Sequence, residues 1–107
     1  MTFSPIAREE VDVLTSLLED LLNSALRSFQ SDDPQMARQV EPLEETMDLL
    51  TEEIRSRHIR RLQSGQCTIQ LGFILNDLLN NAERVGDHCS NIAVSVIEEQ
   101  EKQAASH

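Results

Sequence analysis

The chain has 107 residues, 39% of them hydrophobic and 26% charged, which is enough for one domain with a modest core. A net charge of −10 argues against a nucleic-acid partner, because phosphate backbones recruit Lys and Arg. No stretch approaches the roughly 20 apolar residues of a membrane span, and the N-terminus lacks the basic and apolar regions of a signal peptide.

With no Trp or Tyr and only three Phe, the core has to be aliphatic, and three Gly and three Pro suit a few long helices better than a sheet with many turns. Ser4 before Pro5 reads as a helix N-cap and first helical residue, with Glu9 and Glu10 placed to complement the dipole. The first helix then spans about 5–30. Its apolar stripe is Val11, Leu14, Leu18, Leu21 and Ala25, widened by Leu17, Leu22, Leu26 and Phe29. So broad a face implies two packing neighbours or a second copy.

Asp33 and Pro34 cap and open a second helix, expected over about 34–63. Met36, Val40, Leu43, Met47, Leu50 and Ile54 alternate in steps of four and three. Pro42 conflicts with that pattern, since mid-helix it removes a hydrogen bond and clashes with the carbonyl four residues back. The expectation is a kink near Arg38 to Val40 or a restart at Glu41. Ser64-Gly65 ends the helix, Gly supplying the left-handed conformation.

The third helix is expected over about 66–103, on the order of 55 Å at 1.5 Å per residue. Its stripe is Leu75, Leu78, Ala82, Val85, Cys89, Ile92 and Val96. Short loops between consecutive long helices give antiparallel neighbours, so the fold expected is all-α, an up-down-up three-helix bundle. Residues 1–107 form one domain, with 1–4 and 104–107 expected to fray. Cys67 and Cys89 lie far apart, without CxxC or Cys/His spacing, and read as small buried or half-buried thiols of a cytosolic protein.

The densest chemistry lies in Asn80 to Val94, NNAERVGDHCSNIAV. Asn76, Asp77, Asn80, Glu83, Arg84, Asp87 and Asn91 all point away from the apolar register. Glu83 and Asp87 are four apart, so their carboxylates stack on one helix face within reach of one cation. Asn, Asp and Gly are poor helix formers that propensity alone would not select here. The second helix supplies another acidic set, Glu41, Glu44, Glu45 and Asp48, in which Glu44 and Asp48 repeat the ExxxD spacing. A solvated acidic face explains the same residues without any ligand.

The run Glu83-Arg84-Val85-Gly86-Asp87-His88, followed by Asn91-Ile92-Ala93, closely resembles the ERxxDH…NIA signature of the PhoU family, helical proteins associated with the regulation of phosphate transport. His58-Ile59-Arg60-Arg61-Leu62, the turn Ser64-Gly65-Gln66-Cys67 and Asn76-Asp77 also fit. The resemblance is strong from about Gln39 to Glu98 and weak over the first helix. The Asp87-His88-Cys89 spelling looks most like the PhoU-type domain at the cytoplasmic end of bacterial Na/Pi-cotransporter-related proteins. PhoU-like proteins carry two such bundles in tandem, so the resemblance implies that a homodimer rebuilds the pair. In that family, acidic motifs on adjacent helices are associated with metal clusters. The resemblance carries that role onto Glu44, Asp48, Glu83 and Asp87, with Asp77, Asn80 and Asn91 as weaker candidates. Hard oxygen donors of this kind suit Mg, Mn or iron.

His88 reads as a structural group that donates to a carboxylate or carbonyl rather than as a ligand. Gly86 reads equally as close packing or as close approach of an ion. Arg84 pairs with Asp87 or Asp77, or faces a partner. Arg55, Arg57, Arg60 and Arg61 cluster with His58 at one helix end. They serve as favourable charge at a helix C-terminus or as contacts to phosphate, an acidic partner or anionic lipid.

Three functions follow for weighing. The first is a cytoplasmic regulatory domain in phosphate transport, binding metal and contacting a phosphate transporter, its membrane part or a signalling kinase. The second is a helical oligomerisation module without a ligand. The third, a carboxylate-bridged metal enzyme, is disfavoured: such sites project Glu-x-x-His motifs inward, and no ExxH spacing occurs here. No nucleophile triad or phosphate-cradling Gly loop is present either, so the expectation is a regulator and not an enzyme.

Overall fold

A computed structural model describes residues 4–105 and forms three helices: α1 Pro5–Ser31, α2 Pro34–Gln63 and α3 Ile69–Ala105. Each begins at a side-chain cap. Ser4 Oγ accepts from the Ala7 amide at 3.2 Å, Asp33 Oδ1 accepts from Gln35 and Met36 at 3.0 and 3.3 Å, and Thr68 Oγ1 accepts from Leu71 at 3.2 Å. Each of the first two ends at a left-handed residue. Asp32 takes φ 50°, which Asp tolerates better than most side chains, and Gly65 takes φ 76°. Behind Gly65, its own amide donates to Leu62 O at 3.2 Å and the Gln66 amide to Arg61 O at 2.8 Å, closing the last turn of α2.

Four boundary expectations change. Gln66 and Cys67 belong to the turn that closes α2, so α3 starts at Ile69 rather than near Gln66. Ser4 is a cap and Ala104 and Ala105 are helical, while the fraying expected of 1–3 and 106–107 falls outside the described residues. Helix α2 is unbroken through Pro42 and does not restart at Glu41. Pro42 is exposed, so solvent can satisfy the carbonyl its missing N–H leaves free. Glu9 and Glu10 lie beyond the first turn of α1 and do not serve its dipole.

All three helices pack on one another in a bundle 63 × 17 × 17 Å. Links at opposite ends show the up-down-up order. Glu10 on α1 meets the end of α2, where its Oε1 lies 2.8 Å from Arg61 Nη2 and its Oε2 3.6 Å from Arg57 Nη1. Among the described residues neither carboxylate oxygen nor Arg61 Nη2 makes a hydrogen bond, so charge at close range holds this buried contact. At the far end, Gln100 Nε2 donates to Asp32 O at 3.0 Å.

The core is Leu14, Leu21 and Ala25 from α1, Ala37, Val40, Met47 and Ile54 from α2, and Leu75, Leu79, Ala82, Cys89, Ala93 and Val96 from α3. Two buried hydroxyls are satisfied within their own helices, Ser28 Oγ donating to Ala25 O and Thr51 Oγ1 to Asp48 O. The α3 seam differs from the expected stripe. Leu79 is buried and Leu78 exposed, and Val85 and Ile92 flank the seam. The buried positions are 72, 75, 79, 82, 86, 89, 93 and 96, alternating three and four, and two of them are glycines.

Those glycines let α2 and α3 approach. A Cβ at Gly72 would lie 2.7 Å from His58 Nε2, and one at Gly86 would overlap Met47 Cε. Both partners are buried, and Met47 is fully so. The contact at Gly86 yields a prediction. Gly86→Val lowers stability by about 1–3 kcal/mol, the usual range for overpacking. In a Met47→Ala background, where the space exists, the same change costs less. Urea unfolding of the four proteins of this cycle measures the coupling.

Candidate functional site

The close α2–α3 contact fixes where the acidic residues fall. In α2 the buried register runs Ala37, Val40, Met47, Thr51, Ile54, His58, and Glu44 occupies the place between Val40 and Met47. Glu44 is therefore half-buried at the core edge, its Cγ 3.7 Å from where a Gly86 Cβ would stand. Helix α3 brings Asp87 and Ser90 against it. One turn along, Asp48, Glu83 and Asp87 line a shallow depression of about 360 Å³ together with Thr51, Glu52 and Arg55. The two ExxxD pairs thus meet on one face of the bundle.

The electrostatics of that face are unfavourable for full ionisation. Burial pushes the Glu44 carboxyl above its ordinary value; the Ser90 hydroxyl offsets part of this, and Asp87 and Asp48 add to it. Asp48 is raised first by burial and then by the charges of Asp87, Glu83, Glu52 and Glu45. Burial, helped by Glu44, also raises the Cys89 thiol.

One cation already serves the face. Arg55 Nη2 donates to Glu83 Oε1 at 3.0 Å and to Asn80 Oδ1 at 3.1 Å. Arg55, expected as an anion contact, thus engages both Glu83 and Asn80, the latter expected as a weaker metal ligand. Among the described residues, no group of three or more His, Cys, Asp or Glu side chains is arranged around a single point as metal ligands. The donor chemistry fits a hard divalent cation, which would relieve the crowding of Glu44, Asp48 and Asp87. Glu83 would have to exchange Arg55 for the ion to join them.

The remaining candidates lie apart. Asp77, Arg84, His88 and Asn91 are exposed. Among the described residues Arg84 pairs with neither Asp77 nor Asp87, and His88 donates to none of the carboxylates. Gly86 is a packing position. Arg57 and Arg61 serve Glu10, with Arg57 also bridging to Glu53, while Arg60 is exposed. His58 is buried against Gly72, its Nδ1 3.6 Å from Cys67 Sγ. Burial and then the Arg61 charge push the imidazole below its ordinary value, against the smaller pull of Glu10. Sequence reasoning missed Ser90 and Glu52 as neighbours of the acids. The register step Val40–Glu44–Met47 was the available signal for a buried carboxylate.

Comparison with known proteins places these features. The model of the PhoU domain matches residues 11–96. A curated relative, the phosphate-specific transport system accessory protein PhoU homolog 1 of Thermotoga maritima, is 26% identical over 90 residues, 84% of this chain and 38% of the relative. The chain therefore spans about two-fifths of the length of that protein. No solved structure matches it significantly.

The raised carboxyls give a signed pH dependence. An acid whose pKa is higher folded than unfolded lends stability below its unfolded value, and that stability is lost as pH rises through the folded value. Stability due to Glu44 and Asp48 therefore declines upward from about pH 4, the ordinary carboxylate range. Glu44→Gln/Asp48→Asn removes that decline and melts above the parent at neutral pH. Circular dichroism melts across the acid-to-neutral range measure both effects.

Proposed function

The chain belongs to the PhoU family, and from that premise we propose that it is a regulatory domain of phosphate transport whose acidic α2–α3 face takes up a divalent or iron cation. The observation that carries this is the meeting of Glu44 and Asp48 with Glu83 and Asp87 across the Gly86 contact, with two of the four carboxyls pushed up by burial and crowding. Glu44, Asp48 and Asp87 would hold the ion, and Glu83 would join on leaving Arg55. The cation supplies charge neutralisation that stiffens the face, and the domain acts by contact with a phosphate transporter, its membrane part or a signalling kinase. It works as a regulator rather than as an enzyme.

The named function of the Thermotoga relative, accessory to phosphate-specific transport, supports this reading. The Asp87-His88-Cys89 spelling favours a setting beside the membrane part of a Na/Pi-cotransporter-related protein, at the cytoplasmic face. No described helix is long and apolar enough to cross a membrane itself. A second reading, a helical module that pairs with another bundle and needs no ion, is favoured by Leu22, Leu26 and Phe29. These form an i, i+4, i+7 stripe on α1 that stays 37%, 48% and 66% exposed. A homodimer through this stripe is compatible with either reading.

Arg55 supplies the discriminating test. Mn²⁺ added to the purified, chelator-treated protein raises its melting temperature. Glu44→Gln/Asp48→Asn abolishes that rise, and Arg55→Gln enlarges it by releasing Glu83. A parent whose melting temperature is unmoved by Mn²⁺ or by chelator overturns the metal reading and leaves the pairing module.

A further inference from the structure

Residues 55–76 contain four of the nine basic residues, His58 and none of the 19 acidic residues. They form the end of the bundle where α2 turns into α3. At this end, where Glu10 of α1 engages Arg57 and Arg61, Ile59 and Leu62 of α2 face Ile69 and Phe73 of α3 across a groove of about 250 Å³. Its floor includes Gly72, and Arg55 stands on its wall. The four apolar side chains are 48%, 37%, 67% and 69% exposed, far more than packing requires of residues this large. Phe73 and Phe29 are the only aromatic residues among those described, and both are on the surface rather than in the core. Aromatic side chains are enriched where partners dock.

We propose that this groove receives an amphipathic helix with an acidic polar face, contributed by a partner protein. The proposal rests on the reading that the domain acts by protein contact, and it names the surface and the partner chemistry. Two helices present apolar ridges at i and i+3 or i+4 on either side of a channel, the arrangement that accepts the apolar stripe of a third helix. Exposed Arg60 beside Ile59 supplies charge that an acidic face complements, while Arg55 on the wall is already engaged by Glu83. A second copy docking by two-fold symmetry would set this Arg-rich end against itself. A lipid surface is disfavoured by the concave shape and by the net charge of −10.

The test uses the ¹⁵N-labelled full chain and two synthetic peptides of about five helical turns. The peptides share one Leu/Phe stripe and carry Glu or Lys on the polar face. The Glu peptide shifts the amides of Ile59, Leu62, Ile69 and Phe73 and binds about tenfold more tightly than the Lys peptide. Phe73→Ser and Ile59→Ser, both at exposed positions and thus neutral to folding, weaken binding about tenfold. Phe29→Ser at the other end does not.

Equal affinities for the two peptides, or shifts confined to the Leu22–Phe29 stripe, overturn the proposal. Groove amides that respond to phosphatidylglycerol vesicles but to neither peptide reassign the surface to lipid. A parent dimer that Phe73→Ser converts to monomer reassigns it to a second copy. The Mn²⁺ response of the melting temperature is read on the same protein. A failed groove with that response intact leaves the metal reading standing, and the reverse result leaves the groove.

Discussion

The close approach of α3 to α2 at Gly86, where Met47 Cε fills the space a side chain would take, governs the arrangement of the rest. Helix spacing follows from the side chains at the contact, and at Gly86 the missing Cβ leaves its room to a flexible, fully buried methionine. That spacing draws Glu44 of α2 to the core edge and sets it against Asp87 and Ser90. It also brings Asp48 near Glu83 and Asp87. In most helical surfaces such carboxylates would be separated or matched with lysine, yet this chain has a single lysine, Lys102 near the end of α3. The hydrophobic term that packs Met47 and its neighbours thus carries the cost of gathering like charges.

Arg55 links the two surfaces of interest. Its guanidinium engages Glu83 and Asn80 on the acidic face, while the same residue stands on the wall of the apolar groove toward the α2–α3 turn. The exposed ion pair contributes little to stability by itself, since such pairs are screened and entropically costly. Its importance is positional, because any change in the protonation or ligation of Glu83 alters what Arg55 presents next door. Glu10 plays a comparable organising role at the same end, holding Arg61 and Arg57 toward α1 and so leaving Arg55 and Arg60 as the charges on the α3 side.

Much of the architecture was legible in local chemistry. Ser4-Pro5, Asp33-Pro34 and Gly65 mark helix ends for reasons intrinsic to those residues, and α2 has the bounds its pattern implies. The α3 seam was misread by one residue at Leu78 because two of its eight buried positions, Gly72 and Gly86, have no side chain to register as apolar. Glu10 was misassigned to the helix dipole because its partners, Arg57 and Arg61, are distant in sequence. The Arg55–Glu83 pair was invisible for the same reason. Helical period shows which face a residue occupies, but not which face of another helix it meets. The PhoU-like resemblance grouped Glu44 and Asp48 with the acidic run of α3, and packing shows the two pairs meeting on one face.

The most direct measurement is a residue-specific pH titration of the side-chain carboxyl carbons by NMR, with and without Mg²⁺. The account predicts that Glu44 and Asp48 titrate above their own ordinary values without the ion, and that Mg²⁺ brings both back down by favouring their charged forms. Glu44 and Asp48 titrating as ordinary exposed acids, with no response to Mg²⁺, would contradict it. The acidic face would then be a solvated surface, and the Gly86 contact a feature of packing alone.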